Sequence, residues 1–206
     1  SADRIYDRLS ARLARDDMRP RALFERFGIE VLATTESPLD DLAHHQAIRN
    51  SNWGGRVITA FRPDPVVDPD FEGFADNVER LGEITGEDSA TWDGYLAALA
   101  QRRAFFAEMG ATSTDHGHPT AATADLDAGT AAKLFERILQ GKSTAADHEL
   151  FRAQILTEMA RMSLDDGLVM QIHPGSFRNH NARLFADFGR NVGADMPLPS
   201  DYVAGL

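Results

Sequence analysis

The sequence contains no cysteine. This excludes a disulfide framework, a thiolate metal site and a cysteine nucleophile. Bases are scarce too, with 21 Lys and Arg against 32 Asp and Glu and a net charge of −11. That balance argues against a nucleic acid or an anionic membrane as partner, since both select basic surfaces. No apolar run approaches the ~18–20 residues of a membrane span, and the opening stretch SADRIYDRLSARL is charged where a secretory leader would be apolar. GxGxxG, P-loop and GxSxG patterns are all missing, so a nucleotide cofactor and serine-hydrolase chemistry have no support. Lysine is nearly absent, with 19 of the 21 bases being Arg, so an arginine carries information only through its local context. What is left is an acidic, soluble, cytoplasmic globular protein of 206 residues, long enough to enclose a core.

Helical spacing puts Ile5, Tyr6, Leu9 and Leu13 on one face of a first helix over 3–13. A second helix over 20–27 begins at Pro20 and stops at Gly28. The β-branched run 29–35 follows as a strand, and Ser37-Pro38-Leu39-Asp40-Asp41 opens a helix with acids in its first turn, running to about Ile48. The grammar then repeats. Strands are expected at 56–61, 111–114 and 168–173, with helices over 71–84, 92–109, 128–139, 145–162 and 181–188. No strand is joined to the next by a hairpin turn. The pattern predicts an α/β protein with about four parallel strands and helical crossovers, within one unit covering residues 1–206.

In parallel α/β folds the chemistry sits at the carboxyl ends of the strands. Here the four exits read Thr34-Thr35-Glu36-Ser37-Pro38, Phe61-Arg62-Pro63-Asp64, Thr114-Asp115-His116-Gly117-His118 and Ile172-His173-Pro174-Gly175. Each carries an ionisable side chain. His173 follows an apolar run and precedes a Pro-Gly turn, where a neutral imidazole could bind a divalent metal, orient a hydroxyl or move protons, or merely bond a loop carbonyl. His116 and His118 are spaced to face one metal, with Asp115 able to orient an imidazole, although one of the pair could equally point to solvent. His116 is preferred because it lies nearer the strand. Arg62, between a strand and a proline, suits a carboxylate or phosphate, with Asp64 able to fix its rotamer. As a simple surface ion pair, Arg62–Asp64 would be worth at most about 1 kcal/mol. His44, His45 and His148 read as packed or solvated helix residues. The stretch Arg178-Asn179-His180-Asn181 reads as either ligand contact or a polar helix start.

At these strand ends the sequence resembles the uronate isomerase (glucuronate isomerase) family of the amidohydrolase superfamily. The segments that carry the resemblance are VLATTESPLDDLAHHQAI, the strand with its FRPD exit, RRAFFAEMGATSTDHGH and VMQIHPGSFRNHN, in the family's order. The resemblance implies a distorted (β/α)8 TIM-type barrel, present here as a partial barrel of strands two to five. It implies interconversion of D-glucuronate with D-fructuronate, and of D-galacturonate with D-tagaturonate, through an enediol. His173 then matches a metal ligand, and Arg62 matches the arginine used on the substrate, as anchor or oxyanion stabiliser. His116, Arg178 and Asn179 match recurrent strand-end residues, His116 on the catalytic side and the other two toward substrate.

Family members are more than twice as long. The segments without counterpart hold a first-strand His-x-His metal pair and a late-strand aspartate that transfers protons. A divalent metal, zinc by its N/O ligand type, is therefore implied for the family, while the 206 residues alone are expected to be inactive or nearly so. A half-open parallel sheet would also leave apolar edges bare, which predicts a homo-oligomer. The rival readings are a metal-dependent hydrolase of the same superfamily and a non-catalytic remnant that keeps a binding role.

Overall fold

The computed structural model describes residues 1–190, 192–193 and 195–206. Helices α1 (Ala2–Leu13) and α2 (Pro20–Arg26) lead into β1 (Val31–Glu36), α3 (Ala43–Arg49) and β2 (Arg56–Phe61). After β2 come α4 (Asp64–Val67), α5 (Phe74–Thr85), α6 (Trp92–Glu108) and β3 (Ser113–His116). Then follow α7 (Ala128–Leu139), α8 (Ala145–Asp166) and β4 (Val169–Ile172). The chain closes with β5 (Ser176–Phe177), α9 (Ala182–Phe188), β6 (Met196–Pro197) and α10 (Tyr202–Gly205).

Strands β1 to β4 form one sheet in that order, every neighbour parallel, and β5 pairs with β6 as a separate antiparallel ribbon. Parallel neighbours need long crossovers, and the helices supply them. β1 and β4 are open edges, and Val169 on β4 is 64% exposed.

The core lies on the helix side of the sheet. Phe61 of β2 meets Phe106 of α6 edge to face, with ring centroids 5.2 Å apart. Behind them Tyr95 stacks on Phe135 at 4.6 Å, and Phe135 stacks on Phe151 at 5.8 Å. This aromatic layer joins α6, α7 and α8. Tyr95 turns its hydroxyl to donate to the Val66 carbonyl at 2.7 Å, so the core grips the short helix that follows β2.

Buried arginines then tie the layers together. Arg103 on α6, 1% exposed, donates through Nε and Nη2 to both Asp166 oxygens at 2.6 and 2.9 Å and through Nη2 to Ser163 Oγ at 2.9 Å. Asp166 Oδ1 in turn accepts from the Leu168 amide at 2.9 Å. The entry to β4 is thereby fixed to α6.

Three local expectations change. The segment 37–42 is a turn, and α3 starts only at Ala43. The side chains of Asp40 and Asp41 accept from the amides of Leu42 and Ala43 at 2.7 and 2.9 Å, an alternative to helix that short acids offer the backbone. Leu42 is held at φ 54° there, fully buried. Helix α8 runs a turn beyond the expected end, to Asp166, and Gly167 at φ 75° stops it. Finally, the apolar face of α1 is covered by nothing among the described residues, since Ile5, Tyr6, Leu9 and Leu13 are each more than half exposed.

Candidate active site

Strand β2 delivers Arg62. Its amide still donates to the Glu36 carbonyl at 2.9 Å, so the residue sits at the lip of the β1–β2 pair. Arg62 Nε donates to Asp64 Oδ2 at 2.9 Å, and Nη1 lies 3.4 Å from Asp115 Oδ2. The second Asp64 oxygen accepts from the Gly117 amide at 3.0 Å. Asp115 Oδ1 is 2.8 Å from His173 Nε2, and the His173 amide donates to the His116 carbonyl at 3.2 Å. A continuous chain Asp64–Arg62–Asp115–His173 therefore crosses the carboxyl ends of β2, β3 and β4. Gly117 is required for this approach: a β-carbon there would collide with the Asp64 carboxylate and stand 3.0 Å from Arg62 Nη2.

Strand alternation decides which side chains of β3 take part. Thr114 is in register with Phe61, whose ring faces α6, so Thr114 and His116 share the helix side while Asp115 faces the site. His116 is fully buried, with Nε2 at 2.8 Å from Thr114 Oγ1 and Nδ1 without a partner among the described residues. Burial, together with the His118, Arg103 and His173 charges, holds its pKa well below the usual 6.5. His118 is likewise buried with Nε2 unpartnered, and burial lowers its pKa. His116 thus stands apart from the chain across the strand ends, and the imidazole paired with Asp115 is His173. His116 at the end of β3 and His118 just beyond it have ring centroids 5.8 Å apart, and neither lines the cleft.

Beside Arg62 lies a cleft of about 320 Å³ that reaches Ser37, Asp68, Phe71, Arg178, Asn179 and Arg190. Arg178 and Asn179 are thus brought to the same cleft as Arg62. The Asn179 amide donates to Asp195 Oδ1 at 3.1 Å, and the residue adopts φ 54°, a conformation asparagine tolerates. Arg178 Nη1 stands 3.8 Å from Asp195.

Two further arginines position the walls. Arg102 donates to the Pro38 and Asp40 carbonyls, both at 2.7 Å, pinning the turn after β1. Arg152 donates to Asp68 at 2.9 Å and to Asp70 at 2.7 Å, pinning the loop after β2. His45 bonds Thr34 Oγ1 at 2.8 Å, and His148 is tied to Asp70 and Ser143, so both are packed residues outside the cleft.

Sequence reads Asp115 only as an orienting partner for an imidazole, and assigns no site role to Gly117, Arg152, Phe71 or Arg190. That Asp115, and not His116, takes the open face follows from the β2–β3 register with Phe61, which only the fold shows. Nothing local marks the others.

The donor set does not make a metal centre by itself. Among the described residues no group of three or more His, Asp or Glu side chains converges to hold an ion, whereas catalytic zinc takes three protein ligands. Among the described residues, too, no helix is long and apolar enough to cross a membrane.

Four parallel strands with helical crossovers and a polar site at their carboxyl ends define a partial (β/α)8 barrel. Comparison with known proteins narrows this class. The family model for glucuronate isomerase matches residues 1–203, and the chain belongs to that family. It is 67% identical over 206 residues to the uronate isomerase of Rhizorhabdus wittichii, covering all of this chain and 44% of that protein. It is 64% identical over 210 residues to the uronate isomerase of Sphingopyxis alaskensis, covering all of this chain and 45% of that protein. Among solved structures, glucuronate isomerase from Caulobacter crescentus superposes with a TM-score of 0.93 at 57% identity, over 97% of this chain and 42% of that one. Uronate isomerase from Thermotoga maritima gives 0.87 at 29% identity, over 92% and 43% respectively. The chain thus spans under half the length of the relatives it matches.

Proposed function

We propose that this chain supplies the substrate-holding strand ends of a hexuronate isomerase, which interconverts D-glucuronate with D-fructuronate and D-galacturonate with D-tagaturonate. The observation that carries the reading is Asp115, whose two oxygens engage Arg62 and His173 at once. Aldose–ketose isomerisation moves a proton between C2 and C1, and it needs cations and hydrogen-bond donors held where the enediolate oxygens develop charge. Arg62, fixed by Asp64 and Asp115, presents its remaining N–H groups to such an oxygen without reorganising. His173, aligned by Asp115, faces a substrate oxygen or serves as one ligand of a divalent metal. Zinc suits that nitrogen donor, and the metal would polarise a bound oxygen. Its other ligands are not supplied by these residues. Arg178 and Asn179 hold the substrate from the far wall of the cleft.

The reading places the protein in the cytoplasm, in keeping with a cysteine-free acidic chain, and makes it a homo-oligomer through its open sheet edges. Calorimetric titration of the 206-residue protein with D-glucuronate, beside a turnover assay, tests it. Binding without appreciable turnover is expected, and Arg62→Met should abolish the binding. Absence of binding by the unmodified protein overturns the reading. Robust turnover overturns the part of it that leaves proton transfer to groups outside these residues.

A further inference from the structure

The charged groups beside Arg62 are unequally committed to partners. The cleft walls present three guanidiniums, of Arg62, Arg178 and Arg190, and two carboxylates, of Asp64 and Asp68. The carboxylates are already committed. Asp64 takes Arg62 on one oxygen and the Gly117 amide on the other. Asp68 is held from behind by Arg152, whose side chain is 10% exposed and which also engages Asp70 and Glu149. Arg178 has a loose partner in Asp195 at 3.8 Å. Arg190 has no carboxylate or hydrogen-bond acceptor among the described residues. It lies over the ring of Phe71, 4.6 Å from the centroid.

That placement has a chemical meaning. An arginine on an aromatic face loses much of its rotamer freedom and keeps its N–H edge open, so its planar fork is presented ready for a planar anion. Phe71 belongs to the loop that Arg152 pins through Asp68 and Asp70, so the platform under Arg190 is itself fixed. A guanidinium whose N–H edge stays open at a strand-end cleft favours a singly charged, planar anion.

We propose that Phe71 and Arg190, with Arg178, form a carboxylate subsite that takes the acid group of a sugar acid. Arg62, already saturated on one side by two aspartates, is left to the oxygens at the reacting end. The assignment rests on the isomerase reading for the identity of the sugar acid, and on the cleft's own geometry for the carboxylate.

Side-chain Nε–Hε signals of arginine in the 206-residue protein test it, with the Arg190 signal assigned by its loss in Arg190→Lys. D-glucuronate should shift that signal saturably, whereas D-glucose, which lacks the carboxylate, should not. Arg190→Met should weaken D-glucuronate binding by about tenfold to a hundredfold, the loss expected for a charge-assisted hydrogen bond. Phe71→Leu should weaken it less. If D-glucuronate binds Arg190→Met as tightly as the unmodified protein, the subsite is refuted and the isomerase reading stands. If D-gluconate moves the Arg190 signal but D-glucuronate does not, the carboxylate subsite stands and the isomerase reading fails. If neither moves it, the subsite is refuted.

Discussion

Acid should destabilise this protein earlier than its carboxylates alone would, and the cause is His116. The imidazole is fully buried on the helix side of β3, Nδ1 has no hydrogen-bond partner among the described residues, and burial holds its pKa well below 6.5. In the unfolded chain the same group titrates near 6.5. The folded pKa is therefore depressed, and between the two values the unfolded state binds more protons. Stability is fully present above about pH 6.5 and falls as the pH drops below it. A histidine that remains neutral when folded contributes a loss of about 1.4 kcal/mol between pH 7.5 and 5.5 by proton linkage. His118, buried beside it with a lowered pKa, raises the combined loss to at most about 2.7 kcal/mol. For a chain of this size each kcal/mol moves Tm by roughly 2–4 °C, so His116 alone should lower Tm by about 3–6 °C across that range. Urea unfolding at several pH values, beside the same series for His116→Asn, isolates the term. The variant should start lower in stability but show a slope shallower by up to one proton. An identical slope in both proteins would refute the reasoning, whatever the absolute stabilities.

Other outcomes follow from the same structure. Arg103→Met should cost about 1–3 kcal/mol in urea unfolding, because it removes the paired bonds to Asp166 and the bond to Ser163 at the α8–β4 corner, while the partly exposed Asp166 carboxylate keeps its contact with water; a change under about 0.5 kcal/mol, the usual range for featureless surface sites, would contradict the clamp. Gly117→Ala should leave the circular dichroism spectrum unchanged while weakening D-glucuronate binding by roughly tenfold or more, since the new methyl displaces Asp64 and Arg62; wild-type affinity in calorimetry would show that this contact does not matter. The bare edges at Val31 and Val169, with the open face of α1, should make the protein self-associate. A clean monomer in light scattering would remove that expectation.

The strand-and-crossover order was legible because its signals are local. β-branched runs, glycine stops and the 3.6 period of α7 mark their own positions, and strand β2 and helix α7 fall at the expected residues. The turn at 37–42 was not, because acids in a first helical turn and acids capping a turn look alike in sequence. The open face of α1 was equally hidden, since periodicity shows that a helix has an apolar face but not whether anything lies against it. Arg62 and His173 could be found from their places at strand exits. Arg190 could not, being one of 19 arginines whose distinction depends on a ring 119 positions earlier.

By itself, the sequence determined the fold class, the four strand exits and the residue types gathered there, since short-range sterics, hydrophobic period and loop chemistry decide these. It also excluded thiol chemistry within these residues by composition alone. Only the tertiary structure decided which neighbour on β3 faces the site, because that depends on the parallel register between strands separated by long crossovers, where a shift of one residue exchanges Asp115 for His116. Only the fold could show which arginines are clamps and which one keeps its donors open. Ion pairs such as Arg103–Asp166 or Arg152–Asp68 join residues more than sixty positions apart, and no local pattern encodes a partner at that distance.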